Sequence, residues 1–185
     1  ISEIMFNPPG NDGTNSLEFI EIFNTEPVEK RIDGYHLSGD IDYTFPPDEI
    51  IGPRSYQVIA RNPAALSSAS SVGVALGPYE GDLPNNRGIV QLRNRSDALL
   101  LEVNYDTRMP WPIAADGAGH SLFLAKPDHG ENSAEAWNSS YIKGGTPGLH
   151  DAETNNPLDS ILINEFLAHT DLPLVDYIEL FNYST

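Results

Sequence analysis

Cysteine is absent from this chain of 185 residues, and basic residues are scarce. Without cysteine the protein has no disulfide, no thiol nucleophile and no thiolate metal site. Lysine and arginine total 10 against 27 aspartates and glutamates, which gives a formal net charge of −17. A field of that sign repels the phosphate backbone of nucleic acids, so we predict that the chain does not bind them. Such a surface suits a soluble exported protein.

Long apolar runs and long helical periodicities are also missing. No run approaches the roughly 18 apolar residues that indicate a membrane span, so none is predicted in this fragment. Glycine and proline number 15 each, and short alternating segments between them are typical of strands joined by turns. One short helix is expected after Asn62, because Asn62 can cap it and Pro63 fits its first position. The composition therefore predicts an all-β protein with one short helix.

One stretch of the sequence occurs twice. Leu-Glu-Phe-Ile-Glu-Ile-Phe-Asn at residues 17–24 recurs as Val-Asp-Tyr-Ile-Glu-Leu-Phe-Asn at residues 175–182. Each copy follows a second shared piece, at residues 1–5 and 163–167, and the loop between the pieces is shorter in the second copy. Matching strands around a variable loop indicate a duplicated domain in a piece of a larger protein, with the second copy cut off soon after it begins. We expect a first domain at residues 1–149, a linker at residues 150–160 and the first strands of an incomplete second domain at residues 161–185.

A series of short motifs runs through the first domain in order. They are Ile-Ser-Glu-Ile (1–4), Phe-Ile-Glu-Ile-Phe-Asn (19–24), Gly-Tyr-His-Leu-Ser (34–38), Phe-Pro (45–46), Pro-Trp-Pro (110–112), Ala-Asp-Gly-Ala-Gly (115–119), Ser-Leu (121–122) and Gly-Gly-Thr-Pro-Gly (144–148). Together they resemble the lamin-tail domain of the bacterial type. The resemblance implies an immunoglobulin-like β-sandwich, often repeated in tandem and attached to exported nucleases, phosphatases or spore-coat-like proteins. It implies no catalytic residues.

Carboxylates are the main candidates for a site. Glu3, Glu18 and Glu21 are expected on adjacent strands, and the second copy keeps acids at the matching positions, Glu165, Asp176 and Glu179. Calcium takes roughly 6–8 oxygen ligands of this kind, to which Asp12 or Asp116 from nearby loops would add. Alternatively, Glu3 and Glu21 accept hydrogen bonds from loop amides and pin the ends of the sandwich. No EF-hand spacing is present, which favours the structural role over calcium.

Catalytic motifs are absent from the sequence. The five histidines are scattered, and neither a Gly-x-Ser-x-Gly elbow nor a Walker-type loop occurs. We therefore predict that the chain is not an enzyme and has no cofactor apart from the calcium considered above. The expected function is a non-catalytic interaction or attachment module of a larger exported bacterial protein, located outside the cell or at its surface, with a protein or a cell-surface polymer as partner. The alternative is an accessory domain that positions a nuclease-like or phosphatase-like hydrolase domain absent from this sequence.

The strands at residues 161–182 lack a core of their own. An isolated hairpin is marginal in water, and its unpaired edges invite the addition of further strands. We expect these residues to pack against the first domain or to join a sheet of a neighbouring chain by strand exchange or dimerisation.

Overall fold

The chain forms two compact units, Ile1–Asp151 and Ala152–Thr185. The computed structural model describes residues 1–10, 16–151, 161–170, 173 and 175–182. Most of the predicted linker, residues 152–160, therefore lies outside the described residues. No helix in the described part of the chain is long and apolar enough to cross a membrane.

The first unit is an immunoglobulin-like β-sandwich, as the sequence predicted. Its strands are β1 (Glu3–Met5), β2 (Phe19–Phe23), β3 (Lys30–Arg31), β4 (His36–Gly39), β5 (Ile41–Thr44), β6 (Ile50–Ile51), β7 (Tyr56–Ala60), β8 (Glu80–Gly81), β9 (Arg87–Arg93), β10 (Leu99–Asp106), β11 (His120–Leu124) and β12 (Trp137–Lys143). One sheet has the order β12-β11-β1-β2-β7 and the other β10-β9-β4-β5-β8, while β3 and β6 pair separately. The pairs within both sheets are antiparallel.

Strand β2 is an interior strand because both of its faces are apolar. Successive side chains of a strand point to opposite faces, so Ile20 and Phe19 face different neighbours. Ile20 belongs to the main core between the sheets, together with Leu37 and Tyr105. Phe19 belongs to a second cluster, which includes Leu66 of the helix α1 (Pro63–Ala69). The strand is therefore covered on both sides.

The predicted cap of α1 is confirmed. The Asn62 side chain accepts a hydrogen bond from the Ala65 N–H at 3.0 Å, and proline stands at the first position of the helix. Leu66 is the buried residue of the helix, and it packs into the second cluster with Phe19 and Val58. The helix therefore covers the face of the first sheet that points away from the second sheet.

Strand β10 differs from the expectation at its beginning. The sequence predicts that Leu99, Leu101, Val103 and Tyr105 share one core face. Val103 and Tyr105 are buried, but Leu99 is exposed because the pairing with β9 shifts between Leu99 and Leu101. Such a bulge re-aims the side chains on one side of it.

Strand β12 was not expected as a strand, although Trp137 was predicted to anchor this segment. It pairs with β11 from Leu124↔Trp137 to His120↔Lys143, with one irregularity in the register. Trp137 is buried, and its ring centroid lies 6.4 Å from that of Trp111. Trp111 therefore belongs to the core, as predicted for a plug at its end.

The second unit contains an antiparallel hairpin. Its strands are β13 (Ile161–Leu167) and β14 (Tyr177–Asn182). Their apolar side chains are mostly exposed, with Phe166 at 72% and Ile178 at 67%. The assignment of this hairpin to a second domain stays a prediction.

Candidate functional site

Two buried glutamates face each other at the centre of the first sheet. Glu3 of β1 is the direct cross-strand partner of Glu21 of β2. Both side chains are only 1% exposed. Cross-strand neighbours on one face lie close enough to interact strongly, and like charges there repel each other. This carboxylate pair is the most unusual feature of the sandwich.

The carboxylate pair holds the last segment of the first unit, residues 144–151. The backbone N–H of Thr146 donates to Glu3 Oε1 at 2.9 Å, and that of Gly148 donates to Glu21 Oε2 at 2.7 Å. Three hydroxyl groups also donate to the pair: Ser121 to Glu3 Oε1, Thr146 to Glu3 Oε2 and Ser2 to Glu21 Oε1. Residues 144–151 are called the closing segment below.

Burial raises the pKa of both carboxyl groups. The pKa of Glu3 rises from its ordinary 4.5 to about 7, against the opposing effect of its hydrogen bonds. The pKa of Glu21 rises to about 8, because of burial first and the neighbouring charge of Glu3 second. Desolvation disfavours the charged form of a carboxyl group, and a second acid nearby adds to the effect. Neither glutamate has a lysine or arginine among the partners recorded in the described chain.

A third carboxylate lies near the pair. Asp151 is 6% exposed, and neither of its carboxylate oxygens has a hydrogen-bond partner in the described part of the chain. Burial is the main cause of the raised pKa of Glu3, and the hydrogen bonds from Ser121 and Thr146 oppose it. The charge of Asp151 is a smaller effect that also raises this pKa. Three acidic side chains therefore meet at the closing segment.

Glu18 belongs to a different site. It precedes β2 and points to the face opposite Glu21, because three positions separate them in an extended segment. Tyr79 Oη donates to Glu18 Oε2 at 3.1 Å, the Leu83 N–H donates at 3.3 Å, and Arg61 Nη1 lies 3.7 Å away. Glu18 thus has an arginine nearby as a counter-charge. The structure does not gather Glu3, Glu18 and Glu21 into one set of ligands.

Of the other two candidate ligands, the structure describes Asp116. Asp12 lies outside the described residues, and Asp116 is exposed after a short 3₁₀ helix. Within the described ranges, no group of three His, Asp or Glu side chains is placed to hold a metal ion. The calcium assignment stays a prediction.

The comparisons with known proteins agree with this architecture. A family model described as Lamin Tail Domain matches residues 1–107, more than half of the chain. The chain belongs to the lamin tail domain family. No curated protein and no solved structure matches it. Lamin tail domains are immunoglobulin-like domains that generally act as non-catalytic interaction modules.

The sandwich of this lamin tail domain extends beyond the family match. Residues 108–151 supply β11, β12 and the closing segment. Three residues that donate hydrogen bonds to the carboxylate pair lie in this region: Ser121, Thr146 and Gly148. Ser121, Thr146 and Gly148 were not predicted as donors, and Asp151 was not predicted as a site residue. The Gly-Gly-Thr-Pro-Gly motif was the available signal, because positive φ angles at Gly144, Gly145 and Gly148 let its backbone turn towards the glutamates.

Proposed function

We propose that this lamin tail domain is a non-catalytic interaction and attachment module of a larger exported bacterial protein. The observation that supports the proposal is that the buried carboxylates of Glu3, Glu18 and Glu21 accept hydrogen bonds from within the domain. Glu3 and Glu21 bind the closing segment, and Glu18 binds Tyr79 and Leu83. Groups that are already satisfied inside the fold stabilise it and do not need a substrate. A role in recognition then depends on the surface.

The surface that best fits a partner is the first half of β10. This strand has eight residues and forms the edge of its sheet. At its beginning, Leu99 and Leu100 are 48% and 46% exposed. Further along the strand, the Asn104 N–H already donates a hydrogen bond to Asn132 Oδ1 at 2.9 Å. Edge strands accept an added strand from another chain through backbone hydrogen bonds. The proposed partner is an extended segment of a protein at the cell surface.

A hydrolase context is the second candidate. The bacterial domains that the sequence resembles are attached to exported nucleases and phosphatases, and a positioning role would fit the same fold. The full-length gene product separates the two cases. Clustered His and Asp residues typical of a metal-dependent hydrolase in a further domain would support the accessory role, and an array of further sandwiches would support attachment.

A secreted reporter tests the attachment role. The full chain fused to an exported fluorescent protein should remain with washed cells of the source bacterium, and the substitution Leu100→Lys should release it, because a charge at a sheet edge blocks strand addition. Val74→Lys is the matched control, since Val74 is exposed by 77% and lies outside the sheets. Equal retention of the fusion and of the reporter alone would contradict the proposal. Equal retention of both lysine variants would contradict the choice of β10.

A further inference from the structure

The hairpin of the second unit reproduces the pairing of β1 with β2 residue by residue. In the first unit the partners are Glu3↔Glu21, Ile4↔Ile20 and Met5↔Phe19. In the hairpin they are Glu165↔Glu179, Phe166↔Ile178 and Leu167↔Tyr177. These are the positions that the sequence repeat aligns, at offsets of 162 for the first strand and 158 for the second. The loop lengths differ, so the shared register comes from the strands.

The first unit shows what covers this two-stranded element. Strand β11 pairs with the outer edge of β1, and β7 pairs with the outer edge of β2. The face of Ile4 and Ile20 is covered by the second sheet. The face of Glu3 and Glu21 receives the amides of the closing segment. Both edges and both faces thus have a defined partner.

The same positions of the hairpin lack such cover. Phe166 and Ile178 are 72% and 67% exposed, whereas their equivalents Ile4 and Ile20 are fully buried. Glu165 and Glu179 are also exposed, and the hydrogen bonds that they accept from described residues come from within the hairpin, from Tyr177 Oη and Asn164 Nδ2. No β7-like or β11-like strand pairs with β13 or β14 among the described residues.

We propose that β13 and β14 form a docking surface for the remaining strands of a second lamin tail sandwich. The occupant is a polypeptide segment of the type of residues 28–151. It would place β7-like and β11-like strands on the two edges, an apolar sheet on Phe166 and Ile178, and the amides of a glycine-rich closing segment on Glu165 and Glu179. The inference rests on the repeated register and is independent of the attachment role.

The paired glutamates favour this occupant over a second copy of the hairpin. Two hairpins packed through this face would bring four carboxylates together, while Tyr177 Oη and Asn164 Nδ2 of each hairpin already donate to its own glutamates. Like charges in contact are destabilising. Packing through the apolar face alone would leave both edges open. The rest of a lamin tail sandwich satisfies the edges, the apolar face and the carboxylates at once, as it does for β1 and β2.

A fusion chain tests the proposal. Because Thr185 aligns with residue 27, a second copy of residues 28–151 is joined directly after Thr185. Amide hydrogen exchange in residues 161–182 is then compared with that in the original chain. We expect exchange to slow by at least about 100-fold, as for amides that enter a cooperative core. The matched control carries Phe166→Asp and Ile178→Asp, which charge the apolar face, and it should stay as unprotected as the original chain.

Two results would overturn the proposal. The first is unchanged exchange in the hairpin of the fusion, while a parallel fusion with residues 1–151 after residue 160 gains a second protected domain. The second is a dimer of the original 185-residue chain in sedimentation that protects the hairpin amides and disappears when residues 158–185 are deleted. That result would assign the surface to a second copy of the hairpin. Retention of the secreted reporter would be unaffected by either result.

Discussion

Raising the pH should destabilise the lamin tail domain, because it forces two facing buried carboxyl groups to ionise. In the unfolded chain both glutamates titrate near 4.5, whereas in the folded chain the pKa is about 7 for Glu3 and about 8 for Glu21. The folded state therefore binds more protons than the unfolded state between these values. Stability is fully present below pH 4.5 and is lost as the pH rises through 7 and 8.

The size of the effect follows from the displaced pKa values. For Glu21, a rise from 4.5 to about 8 corresponds to about 5 kcal/mol. For Glu3, a rise to about 7 corresponds to about 3 kcal/mol. The two figures are not added, because repulsion between the same carboxyl groups contributes to the result. We expect a loss of roughly 5 kcal/mol between pH 5 and pH 8.5, against a total of about 5–15 kcal/mol for a typical domain.

The substitution Glu21→Gln isolates this effect. A glutamine keeps an acceptor for the Gly148 N–H and a donor for Ser2 Oγ, so it imitates the protonated glutamate. Urea unfolding followed by the fluorescence of Trp111 and Trp137 would measure stability at both pH values. The variant should match the wild type at pH 5 and exceed it by about 3 kcal/mol at pH 8.5.

A glutamate on the surface serves as the control. Glu29 is exposed and has no recorded side-chain partner, and Glu29→Gln should keep the wild-type dependence on pH. The reasoning is refuted if wild-type stability stays constant or increases from pH 5 to pH 8.5. It is also refuted if the Glu21 and Glu29 variants lose stability equally.

Two further predictions concern the same region. Gly145→Ala should lower the free energy of unfolding by about 2 kcal/mol more than Gly144→Ala. Both residues have positive φ, but of the two only Gly145 would bring a Cβ into overlap with Glu3 Oε1. Equal melting temperatures for the two variants would contradict this prediction. Calcium should give no heat in a calorimetric titration and no shift in melting temperature in a thermal scan, because Glu3 and Glu21 are already hydrogen-bonded within the chain. Saturable heat that is lost in Glu21→Gln would contradict this prediction.

Strand alternation predicted the sandwich well where side chains on both faces are apolar. The interior position of β2 follows from Phe19 and Ile20, which pack into different clusters. The helix start followed from the side chain of Asn62, which is a local signal. β12 was harder to predict, since Asn138, Ser139 and Ser140 have low strand propensity and the strand forms by pairing with β11.

The carboxylate pair could be predicted only in part. Alternation placed Glu21 on a face expected to be dry, and the repeat drew attention to Glu3. Glu18 was included because it was expected on a strand adjacent to that of Glu3 and the second copy keeps an acid, Asp176, at its position. Its side chain points to the face opposite Glu21. Asp151 comes from the predicted linker and Thr146 from a glycine-rich motif just before it, and only the folded chain brings them to Glu3. Contacts between residues so far apart in the sequence produce no periodic pattern from which they could be predicted.

The hydrogen bond between Glu3 and Thr146 joins positions 143 residues apart. During synthesis β1 and β2 leave the ribosome before the other strands of the domain. Glu3 and Glu21 gain the backbone donors of the closing segment only when almost the whole domain has been made. Contacts between such distant positions slow folding, because a long loop must close before they form. The fold of this domain is therefore completed only after the closing segment, residues 144–151, has been made.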